Sequence, residues 1–353
     1  MRFDSALELQ ARIFSEIFSF VEIPAAAGMT PLPGLFMASA DATRAPGVKR
    51  SKKATDDMAL GVAEGRTADD AKLVVLVQNR AAAKSRLVGR ILDLARGEAD
   101  VVFIGRQKPL WTQVRNDPIR LGCSVSPTTV RSAGTWGCFC RDIQSGREAI
   151  LSNNHVLADV NRVPLMTPVM QPGGFDNGRV TIDNVAELTR FVPIQFGGVP
   201  NAVDAAIATL SPHGRNEDRA TIYDSANTPA PVLSIQASSP ATAAPGMTVY
   251  KTGRTTRHTR GRVVAVNVNN YLVNMGLGLG VARFDNQIVI EMDNNPVVPF
   301  SRPGDSGSLI VEGSGRPVGL LFAGSETGGA GNLGFTGANP ISSVMTHLGI
   351  TLT

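Results

Sequence analysis

The sequence predicts an all-β protein of barrel or sandwich type over its last two thirds, preceded by a small α+β region. Three observations carry this. Gly (36) and Pro (22) are enriched among the 353 residues, against a combined background of about 12%. From about residue 122, short apolar runs alternate with turns rich in Gly, Asn and Pro. Helical periodicity is confined to short segments, of which residues 1–21 and 85–96 are the clearest. The same arithmetic excludes other classes. There is no Gly-X-Y period, and 43% apolar residues argue against global disorder. No apolar run approaches the roughly 20 residues that span a bilayer, so a soluble protein is expected. A net charge of +4 is too slight to argue for nucleic acid by itself.

Residues 1–21 read as an amphipathic helix. Phe3, Leu7, Phe14, Ile17, Phe18 and Val21 recur at helical spacing, with Asp4, Glu8, Arg12 and Glu16 at other positions. Such a helix is marginal alone, so docking on the body or on a second copy of the chain is expected. Its polar face lacks the Lys/Arg excess of membrane-surface helices. Asp4 and Glu8 interrupt any secretory apolar core, and with Glu16 they argue against a transit peptide. Residues 24–56 form a Pro-, Ala- and Gly-rich linker ending in Lys49, Arg50, Lys52 and Lys53. A β-β-α-β unit follows, with strands at 58–62, 72–77 and 100–104 and a helix at 85–96 on which Leu87, Ile91 and Leu94 share a face. The strands of the main region are expected at 135–140, 148–151, 203–210, 247–251, 262–268, 287–292, 308–312 and 318–323, with a short helix at 340–348. Residues 224–245, rich in Ala, Pro, Ser and Thr, read as a connector dividing that region. The expected domains are 1–56, 57–115 and 116–353. Three cysteines (Cys123, Cys138 and Cys140) cannot all pair, so no disulfide framework and a reducing, cytoplasmic setting are expected.

Chemistry concentrates at three places. His155, one of four histidines, stands where an apolar strand ends in a polar turn, Leu-Ser-Asn-Asn-His-Val-Leu over 151–157. A lone histidine there is usually structural. Asp204 opens the apolar segment Val-Asp-Ala-Ala-Ile-Ala over 203–208, and a buried charge needs a partner such as a histidine. Ser306 lies in Gly-Asp-Ser-Gly-Ser over 304–308, where flanking glycines free the backbone and let the N–H groups of Gly304 and Ser306 point the same way. Alone, that tetrapeptide is equally a plain turn. The order His…Asp…Ser differs from the orders on the subtilisin and α/β-hydrolase folds, and Ser308 breaks the Gly-x-Ser-x-Gly elbow.

With Lys-Thr-Gly-Arg-Thr-Thr over 251–256, these motifs make residues 122–353 resemble a chymotrypsin-fold (trypsin-like) serine peptidase. The style is that of disulfide-poor bacterial members and the related plant Narrow Leaf proteins. The first third of the chain lies outside the resemblance. The resemblance implies two six-stranded β-barrels with the active site in the cleft between them and the crossing near 224–245. It implies a serine endopeptidase acting on protein or peptide through an acyl-enzyme: Ser306 as nucleophile, His155 as general base and acid, Asp204 orienting the imidazole, and Gly304 and Ser306 N–H as oxyanion hole. Arg254 is expected to pair with Asp305 and support that hole. Phe300, six residues before Ser306, is expected on the floor of the specificity pocket, with a lean to apolar or small side chains. Phe322, Ala323 and Gly324 are expected to offer backbone hydrogen bonds to an extended substrate. No cysteine brackets His155 as in secreted relatives.

No cofactor or metal is expected, since Cys138 and Cys140 lack further ligands. The basic stripe Lys251, Arg254, Arg257, Arg260 and Arg262 has no interleaved aromatics, so nucleic acid is not expected as a partner, and the lack of a long apolar run and of a basic helix face leaves no membrane partner expected either. Self-association through residues 1–21 and an activating partner are the open roles of the N-terminal third. The rival reading is a catalytically silent, protease-like module that binds peptide or scaffolds a complex.

Overall fold

A computed structural model describes residues 1–18, 57–63, 71–105, 110–224, 228–276, 278–293 and 298–353. The expected linker at 24–56, with its basic cluster, lies outside the described residues. The chain divides into two compact units, Met1–Lys108 and Pro109–Thr353.

The first unit is a three-stranded sheet with two helices. Met58–Ala63 pairs antiparallel with Lys72–Val77, which pairs parallel with Ala99–Phe103. A parallel pair needs a crossover, and the helix Arg86–Leu94 supplies it. Ser85 caps that helix by accepting the Val88 N–H. Its Val88 and Ile91 are buried in one cluster with Leu73, Val75, Val77 and Ile13. Ile13 comes from the N-terminal helix Phe3–Ile17, which therefore docks inside this unit and leaves Phe3, Leu7 and Phe14 exposed.

The second unit is built from two β layers. One is a closed six-stranded barrel, in the order Thr248–Gly253, Arg257–Val268, Gln287–Met292, Thr336–Pro340, Pro317–Gly324 and Leu309–Glu312. Val249, Val263, Ile290, Ile310, Val318 and Leu321 fill it. The other is an eight-stranded sheet that runs from Ile350–Leu352 through Cys138–Asp142, Glu148–Ser152, Ala206–Leu210, Asn184–Phe191, Pro168–Met170 and Ser124–Pro127 to Gly134–Thr135. Of the two six-stranded barrels expected, one is present and closed, and the other is a half-barrel of eight strands. The second layer does not close by a strand ladder: its edge strand Gly134–Thr135 runs on through Trp136 and Gly137 into Cys138–Asp142 near the opposite edge. Single bonds link the ends instead, from Trp136 N–H to the Cys123 carbonyl and from Gly137 N–H to the Leu151 carbonyl. Gly137 admits this approach because any Cβ there would collide with the Gly307 and Leu151 carbonyl oxygens.

The strand Leu309–Glu312 shows how the layers join. Ile310 points into the barrel core, while Leu309 and Val311 pack with Trp136, Phe139, Leu151 and Ile207 of the open sheet. Burial on both faces explains its unbroken apolar run. The expected connector holds a strand, Ala230–Ser234, paired antiparallel with Thr221–Asp224. No helix among the described residues is long and apolar enough to cross a membrane. All three cysteines are free and buried.

Candidate active site

Two neighbouring strands deliver the histidine and the carboxylate. Glu148–Ser152 and Ala206–Leu210 pair antiparallel with Ser152 opposite Ala206. The first therefore ends where the second begins. A single helical turn, Asn154–Leu157, carries His155, and Asp204 sits two residues before its strand. His155 Nδ1 lies 2.5 Å from Asp204 Oδ2, and the His155 backbone N–H donates to Oδ1 at 3.2 Å. A ring nitrogen facing a carboxylate carries the proton, which leaves Nε2 as the unprotonated, accepting nitrogen. Asp204 is wholly buried. Its own backbone is fixed by Asn339 Oδ1, which accepts the Asp204 N–H, and by Asn153, which donates to its carbonyl. Burial pushes the His155 pKa down, but the charge and hydrogen bond of Asp204, with the charge of Asp159, outweigh it, so the net direction is up.

Ser306 comes from the other layer, in the turn ahead of Leu309–Glu312. It lines a cavity of about 280 Å³ together with His155, Val156, Gly134, Pro303 and Gly304. Its Oγ lies 3.5 Å from the Phe322 carbonyl oxygen and is not hydrogen-bonded to the imidazole. Among the described residues, the backbone N–H groups of Gly304 and Ser306 have no hydrogen-bond partner. Gly304 has φ +98°, a conformation that favours glycine. A Cβ there would also meet Thr255 Oγ1 at 2.5 Å and Arg254 Nη1 at 3.0 Å.

Asp305 is buried beneath this turn, and its carboxylate accepts the N–H groups of Thr255 (2.8 Å), Thr256 (3.0 Å) and Arg302 (2.9 Å) and the Thr256 hydroxyl (2.6 Å). Its counter-charge is Lys251, fully buried, with Nζ 3.6 Å from Oδ2. Burial pushes the Lys251 pKa down to about 8, against the pull of Asp305.

Two expectations are corrected here. Arg254 does not pair with Asp305: its Nε and Nη2 grip Asp176 at 2.7 and 2.5 Å. Side chains alternate along the strand Thr248–Gly253, so Lys251 points into the barrel under Asp305. Arg254, just past the strand end, reaches across to the open sheet's loop. Phe300 does not line the cavity beside Ser306. It is 3% exposed, packs in the closed barrel's core, and has the Lys251 ammonium 5.6 Å from its ring centre. The large apolar ring goes to the core, and the next residue, Ser301, takes the cavity wall with its hydroxyl on Thr336 Oγ1.

That second cavity, of about 290 Å³, is lined by Ser306, Ser301, Leu321, Val273, Ala323 and Gly324, with exposed Arg302 and Glu326 also on its wall. Phe322 instead turns its ring into a cluster with Phe284 and Tyr271. Among the described residues, the strand Pro317–Gly324 has no ladder partner beyond Leu320 on the side facing Ser306. Leu321 there exchanges bonds with Gly307 and Ser308. The basic stripe is largely neutralised by acids: Arg260 pairs with Asp293 and Arg262 with Glu291, besides the Lys251 and Arg254 pairs. Among the described residues no group of three His, Cys, Asp or Glu side chains is placed to hold a metal ion. Sequence reasoning missed Thr135 and Asp176, for which neither spacing nor residue type gave a signal, and assigned no role to Thr255 within the 251–256 motif.

No family model and no curated protein matches the chain. Solved structures similar to it in shape include Thermobifida fusca protease A, at 15% identity over 67% of this chain and 98% of that one, with a TM-score of 0.44. Nocardiopsis protease is similar at 19% identity over 67% and 98%, with a TM-score of 0.44. Cellulomonas bogoriensis chymotrypsin is similar at 16% identity over 67% and 98%, with a TM-score of 0.42. The resemblance to the plant Narrow Leaf proteins rests on the sequence motifs alone.

Proposed function

We propose that the chain is a serine endopeptidase that cleaves peptide bonds through an acyl-enzyme. The observation that carries this reading is the His155–Asp204 contact at 2.5 Å beside a cavity that Ser306 also lines. The mechanism requires the Ser306 hydroxyl, which faces the Phe322 carbonyl, to turn toward His155 Nε2, a change between staggered χ1 wells. Nε2 then takes the hydroxyl proton as Oγ attacks the scissile carbonyl carbon. The negative charge that develops on the carbonyl oxygen faces the two unpartnered N–H groups of Gly304 and Ser306, each such donor contributing about 3 kcal/mol. Collapse of the tetrahedral intermediate breaks the C–N bond, and the imidazolium protonates the leaving amine. Water repeats the sequence on the acyl-enzyme, with His155 again taking and returning the proton. Asp204 holds the tautomer and stabilises the imidazolium without becoming protonated.

An extended peptide is accommodated at the free edge of residues 322–324 by strand addition. The cavity floor, formed by Leu321, Val273 and Ala323, supports a small or apolar side chain at the cleaved position. Self-association belongs to the same proposal, with Phe3, Leu7 and Phe14 of the N-terminal helix as its surface. A monomer by light scattering at micromolar concentration would remove that part.

One observation favours the rival binding module: Ser306 Oγ faces Phe322 rather than His155. A fluorophosphonate probe separates the two readings, because it reacts only with an activated serine. Labelling of wild type that is lost in Ser306→Ala supports the peptidase. An unlabelled, folded wild type leaves the binding module.

A further inference from the structure

The oxyanion-hole donors belong to peptide groups whose opposite ends are tied down. In a trans peptide the C=O and N–H point in opposite directions, so a bond to one carbonyl sets where the next residue's N–H aims. The Asp305 carbonyl accepts both Ser308 Oγ (2.6 Å) and Ser308 N–H (3.0 Å), which aims the Ser306 N–H the other way. The Pro303 carbonyl accepts Thr255 Oγ1 at 2.8 Å, which does the same for Gly304 N–H. Without that bond, the 303–304 peptide loses its anchor, and a half-turn places the Pro303 carbonyl, an acceptor, where a donor is required.

The Thr255 hydroxyl is itself oriented. Arg254 Nη1 donates to Thr255 Oγ1 at 3.2 Å, so the hydroxyl proton is directed to Pro303. The other guanidinium nitrogens are fixed on Asp176, which also accepts the Ser124 hydroxyl at 2.5 Å. Phe175 stacks under the same guanidinium, 5.3 Å from its ring centre. Thr135 completes the frame: its hydroxyl accepts the Arg254 N–H and donates to the Gly304 carbonyl.

We propose that Thr255 is a positioning residue, held by the Asp176–Arg254 pair, that fixes the 303–304 peptide with Gly304 N–H facing the reacting carbonyl. The proposal deepens the peptidase reading and rests on it. It gives Arg254 a supporting role through Asp176 and Thr255, with no contact to Asp305. It also makes the oxyanion hole depend on the loop of the open sheet that carries Asp176.

The test uses the full chain with Thr255→Val, which keeps the shape and removes the hydroxyl, and Thr255→Ser, which restores it. The readouts are the rate constant for inactivation by a fluorophosphonate, kcat and KM on a reporter peptide, and the unfolding midpoint. Loss of one oxyanion donor costs about 10²–10³ in rate, so Thr255→Val is expected to slow inactivation and kcat by at least about tenfold. KM and the unfolding midpoint stay near wild type, and Thr255→Ser recovers most of the rate. Wild-type rates in Thr255→Val, or a loss that Thr255→Ser does not recover, overturn the proposal. Should the valine variant fail to fold, Arg254→Lys, which loses the bidentate grip on Asp176, is read the same way. Crystal structures of wild type and variant test the peptide orientation independently of turnover. A flipped 303–304 peptide in the variant beside an unreactive wild type sinks the peptidase reading and keeps the positioning role. An unflipped peptide with full reactivity sinks the positioning role alone.

Discussion

In the proposed peptidase, Ser306, His155 and Asp204 would depend on one another, because a serine hydroxyl is a poor nucleophile until a base accepts its proton. Ser306→Ala is expected to lower kcat by about 10⁶, the loss seen when a triad acts as a unit. Asp204→Asn is expected to cost about 10⁴ by releasing the wrong tautomer. The proposed mechanism requires the neutral imidazole, and the His155 pKa lies above its ordinary value of 6.5. The acidic limb of kcat/KM is therefore expected above that value. Asp204→Asn removes the charge that raises it and shifts the limb to lower pH. A limb that stays put in the variant would assign it to another group. Gly304→Ala meets both a positive φ and the Thr255 and Arg254 side chains. Fluorophosphonate labelling should fall sharply and the unfolding midpoint should fall with it, and unchanged labelling would show that this turn is not the oxyanion site.

At the scale of elements, the hairpin of Thr248–Gly253 and Arg257–Val268 anchors the Ser306 turn from below through Lys251, Thr255 and Thr256. Lys251→Met leaves Asp305 buried without its counter-charge, which is expected to cost about 3–5 kcal/mol of stability. The pH dependence of this group has a definite sign. Its folded pKa of about 8 lies below its ordinary 10.5. Between those values the unfolded chain binds the extra proton, so the stability contributed by Lys251 rises with pH across that window. Urea midpoints of wild type and Lys251→Met should diverge from pH 8 toward 10.5, and a constant difference would contradict the assignment. The strands that hold the cysteines behave as core. Burial pushes the Cys123 and Cys138 thiols up to about 12 and Cys140 well above its ordinary value. Alkylation is expected to be slow in the folded protein and complete only in denaturant.

For the whole molecule, the site is a product of how two layers pack. Asp204 and His155 descend from the open sheet and Ser306 from the closed barrel, while Leu309, Val311 and Leu320 lock the layers together. The Arg254–Asp176 pair ties the same layers at the rim of the cleft, with side-chain exposures of 11% and 7% that shield it from solvent. The first unit has its own buried cluster around Leu73, Val75 and Ile91. Two cores predict two transitions in calorimetry of the full chain. A single transition that ends both structures together would show them to be one cooperative body.

Alternation of short apolar runs with turn residues was sufficient to indicate the β-rich region, most of its strands and the β-β-α-β unit, because strand burial and turn chemistry are local properties. The order of His155, Asp204 and Ser306, each set in a motif, also identified the site's candidate members. What the chain order did not contain was which charge reaches which. Arg254 and Lys251 are three residues apart, and only the barrel's register sends the lysine under Asp305 and the arginine to Asp176. Likewise Phe300 and Ser301 are neighbours, and only packing assigns the ring to the core and the hydroxyl to the cavity. The closure of one layer and the openness of the other were equally hidden, since ladders between distant strands depend on tertiary contacts. Local pattern fixes which residues are available for chemistry, and long-range packing decides which of them meet.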